Sequence, residues 1–199
     1  MRRIEEFWIE FNPDAGHADE YKASGPLSFL FDVVDSLKGA VIVAFLIFAL
    51  LFRAIGVDGD SMLPTLRNGD WVAVAGATIN IERGDIVIVT QPWERNVPIV
   101  KRVIAVGGDT VYIDFDRHEV YVNGALLDES YIAEPTSVSY DVEFPLTVDE
   151  GKLFVMGDNR NVSLDSRSSK IGLIDERYVL GKALVRIFPT GEWNIYDEK

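Results

Sequence analysis

Hydrophobic and polar positions divide the chain into three parts. Residues 1–38 mix charged and polar positions with a few aromatic ones (Phe7, Trp8, Phe11), and the stretch NPDAG at 12–16 has the composition of a loop. Residues 39–52, GAVIVAFLIFALLF, contain no charge. As a helix rising about 1.5 Å per residue this run spans about 21 Å, short of the roughly 30 Å of a bilayer's hydrocarbon core. Its flanks lengthen it. Val33, Val34, Leu37, Ile55 and Val57 add apolar positions, and Lys38 and Arg53 stand where long side chains reach the headgroups. The pattern predicts one transmembrane helix over 35–56, led into by a short amphipathic helix over 29–37. A buried helix and a cleavable secretory signal fit the same run. The largely acidic residues ahead of it favour an uncleaved anchor, while Ala54-Ile55-Gly56 has the small-x-small spacing of a processing site after Gly56.

Beyond residue 57 the apolar runs become short, rich in β-branched residues and punctuated by turns. They predict strands over 71–75, 85–90, 98–106, 111–113, 119–122, 153–156, 184–188 and 193–196. Asn123-Gly124 between apolar runs predicts a hairpin. Turn signals recur at Asn68-Gly69-Asp70, Arg83-Gly84-Asp85, Gly107-Gly108-Asp109 and Gly157-Asp158-Asn159. There is no long amphipathic helix in this part, no internal repeat and no low-complexity linker. The expected fold class is mostly β: a folded β-sheet or barrel over 57–199, carried by one N-terminal transmembrane helix, with residues 1–34 as a separate N-terminal segment.

Composition narrows the function. The chain has 199 residues, enough for one good core plus a membrane segment. It has no cysteine, which excludes disulfides, cysteine zinc sites and thiol nucleophiles. Net charge is −13, with the acid excess spread along the chain and no basic cluster of the kind a nucleic-acid binder needs. No metal-ligand spacing stands out, so neither a metal nor a cofactor is expected. The two histidines are poor catalytic bases: His17 precedes the apolar run, and His118 sits in the charged stretch 114–119, which reads as a hairpin tip.

A hydrolase lacking a usable histidine or cysteine is left with few nucleophile–base pairs, one of which is serine with lysine. An ammonium with a reference pKa of about 10.4 accepts no proton near neutral pH. Burial among apolar groups disfavours the charged form and lowers that value by several units, so a useful lysine should have apolar neighbours. Of the seven lysines, Lys101 alone meets this, between 98–100 (PIV) and 102–106 (RVIAV). An ordinary strand-edge lysine beside Arg102 fits the same pattern. The nucleophile belongs on a turn that exposes its hydroxyl and lets backbone N–H groups face a developing oxyanion. Ser61 within 56–65 (GVDGDSMLPT) satisfies this, just beyond the predicted membrane exit, as would an ordinary turn at that place.

At these residues the chain resembles the type I signal peptidases of bacteria. The segment 59–66 (GDSMLPTL) is similar to that family's nucleophile motif, and 68–72 (NGDWV) to the turn and strand after it. Residues 83–87 (RGDIV) and 100–109 (VKRVIAVGGD) resemble its lysine region. Residues 157–167 (GDNRNVSLDSR), followed by Gly172, resemble its last motif. These segments occur in the family's order between 57 and about 190.

The resemblance implies a membrane-bound serine endopeptidase that removes N-terminal signal peptides from exported preproteins after small-x-small sites. Ser61 would attack and Lys101 would be the general base. Ser163 would hydrogen-bond the lysine amine, Asp165 and Arg167 would pair to hold the last motif, and Asp158 and Arg160 would support them. Val57, Met62, Leu66, Ile99 and Val100 would line shallow pockets for small side chains at the first and third positions before the cut. The implied partners are signal-peptide-bearing preproteins and the lipid bilayer, without nucleic acid or metal. The implied location is the cytoplasmic membrane, with the N-terminus cytoplasmic and the catalytic domain outside. Some family members carry a serine two residues before the nucleophile as a second oxyanion donor, and loss of such a donor costs about 3 kcal/mol in other hydrolases. Gly59 stands there in this chain, as in the Gram-positive-like form. Two alternatives remain: a protease of the same fold dedicated to one pilin, sheath or transfer protein, and, from another class, a catalytically silent membrane-tethered β module that binds extended peptides at a sheet edge.

Overall fold

The computed structural model describes residues 26–76, 80–90 and 97–196, which leaves the segment 1–25 and His17 outside it. The chain divides into two compact units, 1–46 and 47–199. Helix α1 (Pro26–Leu51) makes up the described part of the first unit and ends within the second. Pro26 opens it, where a missing N–H and a preset φ suit the first helical turn. The amphipathic helix expected at 29–37 and the apolar run are thus one element. From Phe29 to Leu46 its side chains are exposed, apolar ones included. Asp32, Asp35 and Lys38 interrupt it, and Lys38 donates to Asp35 at 2.9 Å. Among the described residues no helix is long and apolar enough to cross a membrane.

The span expected over 35–56 also ends early. Phe52–Gly56 form strand β1, paired in antiparallel register with β2 (Trp71–Gly76), Phe52 opposite Ala75 and Gly56 opposite Trp71. The strand therefore brings the small-x-small triplet into a sheet. Val57, the next residue, is buried, donates to Asp70 O at 2.8 Å and accepts from Gly69 N–H at 2.9 Å. Such a bond is tied in on both sides and is not presented as a processing site.

The remaining strands are β3 (Ile86–Val89), β4 (Ile99–Val106), β5 (Thr110–Asp114), β6 (Glu119–Val122), β7 (Ala125–Leu126), β8 (Leu146–Thr147), β9 (Lys152–Met156), β10 (Ile174–Asp175) and β11 (Val179–Phe188). All neighbours run antiparallel, in a seven-stranded sheet ordered β1-β2-β11-β3-β4-β9-β10 and a four-stranded sheet ordered β7-β6-β5-β8. The fold is mostly β, as the short punctuated runs predict. Asn123 (φ 53°) and Gly124 (φ 79°) both adopt the left-handed conformation that a two-residue hairpin turn requires between β6 and β7. The stretch 193–196 is not a strand, although Arg186 N–H donates to Trp193 O at 2.8 Å. Its Ile195 instead packs into the core.

Three apolar clusters hold the second unit. One gathers Val57, Met62, Leu66, Val72, Val74, Ile86, Ile88, Ala183 and Ile195, which fastens the segment around Ser61 to the large sheet. A second joins the two sheets through Ile104, Val111, Val120, Phe154 and Met156. The third includes Val87, Val89, Val103, Val155 and Val179. All four residues of β3 are buried, the even ones in the first cluster and the odd ones in the third, as expected of a central strand covered on both faces.

Candidate active site

Three segments converge on Ser61. The first is the loop that carries it. Gly59 adopts φ +90°, a conformation open to glycine at little cost, and its N–H donates to Asn68 Oδ1 at 3.2 Å. Two turns follow, closed by Leu63 N–H to Asp60 O (3.2 Å) and Leu66 N–H to Met62 O (2.9 Å). Met62 and Leu66 point into the core, which leaves Ser61 partly exposed between exposed Asp60 and buried Met62.

The second segment is β4. Lys101 lies opposite Val87 in register, and on its other side the ladder with β9 ends at the pair Arg102–Met156. The third segment, 157–167, begins there and turns toward the loop. Asn159 donates from its N–H to Ser61 O and from Nδ2 to Asp60 O, both at 3.0 Å. A Cβ on Gly157 would overlap the Ser61 carbonyl and the Ser163 hydroxyl, so only glycine permits this approach.

The result is a direct contact between residues 40 apart in the chain: Lys101 Nζ donates to Ser61 Oγ at 2.8 Å and to Val100 O at 2.9 Å. Lys101 is 4% exposed. Burial pulls its pKa down from 10.5 to about 8, against the opposing charges of Asp165 and Asp158, which favour the ammonium. The amine is therefore neutral in an appreciable fraction of molecules near neutral pH, and a neutral amine accepts a proton along the same line. Among the described residues no acceptor is bonded to the Ser61 N–H, which leaves that donor available to an oxyanion. No cluster of three His, Asp or Glu side chains among the described residues is placed to hold a metal ion. His118, with Nδ1 3.2 Å from Thr136 O, makes no contact with Ser61 or Lys101.

Five further expected residues lie in the third segment. Asp165 and Arg167 form the expected pair, Nε to Oδ1 at 2.8 Å and Nη2 to Oδ2 at 2.9 Å, both residues wholly buried. Arg167 also donates to Val138 O and Arg160 O, and Asp165 accepts from Gly157 N–H at 3.1 Å. Asp158 pairs with Arg102, through Nε at 2.8 Å and Nη2 at 2.7 Å. Arg160 pairs with Glu129 and donates to Thr136 Oγ1 at 3.0 Å and Gly157 O at 3.0 Å. Ser163 is buried beside Gly157, but its hydroxyl has no hydrogen-bond partner among the described residues. The second acceptor of the Lys101 amine is Val100 O.

Of the five residues expected to line substrate pockets, Val57, Met62 and Leu66 are core residues of one cluster, with Val100 partly exposed against them. Ile99 packs on a different cluster, as alternation along β4 requires. Sequence reasoning missed Arg102, Thr65, Glu129 and Tyr131. Arg102 had one signal: a second cation in an otherwise apolar strand must find a buried partner.

The family model described as "Signal peptidase, peptidase S26" matches residues 30–188. The chain belongs to this signal peptidase family. It is accordingly a serine peptidase, a hydrolase. Signal peptidase I of Bacillus licheniformis is 40% identical over 183 residues, covering 87% of this chain and 96% of its own. Signal peptidase I T of Bacillus subtilis (strain 168) is 40% identical over 164 residues, covering 77% of this chain and 82% of its own. A crystal structure of a signal peptidase I from Enterococcus faecalis V583 is 33% identical, with a TM-score of 0.44 over 52% of this chain and 97% of that one.

Proposed function

We propose that this signal peptidase family member cleaves N-terminal signal peptides from exported preproteins after small-x-small sites, with Ser61 as nucleophile and Lys101 as general base. The observation that carries the proposal is the 2.8 Å bond between Ser61 Oγ and the amine of a lysine that burial brings down to about 8. Neutral Lys101 takes the Ser61 hydroxyl proton as Oγ attacks the scissile carbonyl carbon. Negative charge then collects on the carbonyl oxygen, toward which the Ser61 N–H donates. Collapse expels the amine of the mature protein, protonated by Lys101, and leaves the signal peptide esterified to Ser61. Water, deprotonated by Lys101, attacks the ester, releases the signal peptide as a carboxylic acid and restores Ser61.

Asp165 and Arg167 hold the third segment in shape, with Arg160 anchored through Glu129. Ser163 is a buried hydroxyl with unused hydrogen-bonding capacity close to Ser61, available to orient the lysine amine as the reaction proceeds. Val100, partly exposed over the buried Val57, Met62 and Leu66, is the apolar surface beside Lys101 that a small substrate side chain would meet, whereas Ile99 packs on a different cluster.

The chain works at a bilayer surface, with residues 1–34 cytoplasmic and the β unit on the outer face. Support comes from α1, whose Val41, Ile42, Val43, Phe45 and Leu46 are each more than half exposed and lie within the uncharged run 39–52. Water is a poor environment for such a surface.

The test is cleavage by the purified full chain in detergent of a precursor with an Ala-x-Ala site, with the product N-terminus read by mass. The proposal expects a single cut after the second alanine, blocked when that alanine is replaced by a large residue. An intact precursor, or a cut indifferent to that residue, contradicts it.

A further inference from the structure

Thr65 has no role in the reaction as written above, yet through Asp158 its side chain adds a second tie between the nucleophile loop and the other two segments, beside the bonds of Asn159 and Lys101. It stands four residues after Ser61, in the second of the two turns closed by Leu63 and Leu66. Its hydroxyl donates to Asp158 Oδ2 at 2.5 Å, and its carbonyl accepts from the Arg186 guanidinium. Asp158 is almost wholly buried, and the same carboxylate receives both arms of Arg102, the residue next to Lys101 in β4. Arg102 is itself fixed: Nη1 donates to Gly84 O at 2.9 Å, and the guanidinium lies 4.0 Å from the centre of the Tyr131 ring. One carboxylate of the third segment thus grips the segment of the nucleophile and the strand of the lysine.

The chemistry suits this use. A carboxylate has about four lone-pair sites, so a bidentate arginine leaves capacity for a hydroxyl. A hydrogen bond to a charged, desolvated acceptor is shorter and roughly twice as strong as a neutral one. The Arg102–Asp158 pair is buried and bidentate, so a group bonded to it shares its fixed position. Were Thr65 present only to satisfy Asp158, an exposed backbone N–H or any neighbouring donor would serve. The donor used is instead the side chain one turn past Ser61.

We propose that Thr65 is a positioning residue: its hydroxyl, held by Asp158 against Arg102, sets the spacing between Ser61 Oγ and Lys101 Nζ. The proposal rests on the Ser61–Lys101 reading of the reaction. It is tested by comparing Thr65→Val, which keeps the shape and removes the hydroxyl, with Thr65→Ser, which keeps the hydroxyl. Preprotein cleavage is measured per active site, the sites being counted with a serine-acylating probe.

Because small displacements at a reacting centre cost large factors in rate, Thr65→Val should lower kcat per counted site about tenfold with KM unchanged. Thr65→Ser should restore it to within about threefold of wild type. In an Asp158→Asn background the valine change should add less than about twofold, since the link is already lost. If Thr65→Val yields no protein that the probe can count, Thr65→Ala carries the same comparison. A per-site rate within about twofold of wild type for the hydroxyl-free variant overturns the proposal. So does a loss confined to the number of countable sites, or a loss that serine does not repair. Ser61→Ala and Lys101→Met are run beside them. Retained cleavage in either overturns the dyad reading and Thr65's role with it, whereas their loss with a normal Thr65→Val overturns the Thr65 role alone.

Discussion

Lys101 Nζ and Ser61 Oγ, 40 residues apart in the chain, lie 2.8 Å apart because β9 stops at Met156 and frees the flank of Lys101 for the serine loop. The amine that results is desolvated, and on the proposed mechanism its protonation should govern activity as well as stability.

The acid limb of activity should report this amine. With a pKa brought down to about 8 by burial, about one molecule in ten carries neutral Lys101 at pH 7. The expected kcat/KM for a short peptide substrate rises about tenfold per pH unit below 8 and levels off above it. A flat profile between pH 6 and 8 would contradict the assignment of the base.

Stability should move in a direction unusual for a lysine. Below about pH 8 the folded and unfolded states both hold the proton, and the cost of burying the ammonium is fully present. Between about 8 and 10.5 the folded state releases the proton while the unfolded state keeps it, so stability rises with pH across that window. The shift corresponds to about 3 kcal/mol. Lys101→Met should therefore be more stable than wild type at pH 7, by up to that order, and should lose the rise above pH 8. Chemical denaturation of the full chain in detergent at pH 7 and pH 10 measures both.

Ser163 offers a sharper separation of fold from function. Its buried hydroxyl has no partner among the described residues, so Ser163→Ala removes an unsatisfied group, and the melting temperature should hold or rise. If the hydroxyl orients the amine during turnover, kcat should still fall by about tenfold or more. Unchanged kcat in Ser163→Ala would make it a core residue only.

The Asp165–Arg167 pair is expected to be structural. Arg167→Met leaves Asp165 buried without its partner and leaves the carbonyls of Val138 and Arg160 without their donor. Breaking a buried pair in this way costs about 3–5 kcal/mol, to be read by denaturant unfolding. The loss should fall on the yield of folded enzyme more than on the rate per folded site.

Much of this was legible in the chain. The strands of 71–122 announce themselves by β-branched runs and turn residues, and Lys101 by apolar neighbours. β1 did not, because Phe52–Gly56 continue an apolar run whose hydropathy is the same in helix and strand. Only pairing with β2 decides between them. The two-residue strands β7, β8 and β10 are likewise set by their partners rather than by local preference. The dyad and the Asp165–Arg167 pair could be named from motifs. That Asp158 pairs with Arg102, and that Thr65 joins them, is decided by which side chains three distant segments bring together, and no spacing in the sequence encodes it. Val57, Met62 and Leu66 carry the residue type expected of a pocket wall, but burial makes them chiefly core.

The most direct test of the central claim is single-turnover cleavage of a preprotein by wild type, Ser61→Ala and Lys101→Met at pH 8. All three are first shown to be folded by their unfolding curves. Proton transfer by a positioned base contributes about 10²–10⁴-fold, so Lys101→Met should lose at least that range and Ser61→Ala all measurable cleavage. Cleavage by folded Lys101→Met within about tenfold of wild type would contradict the role of Lys101 as the base that activates Ser61.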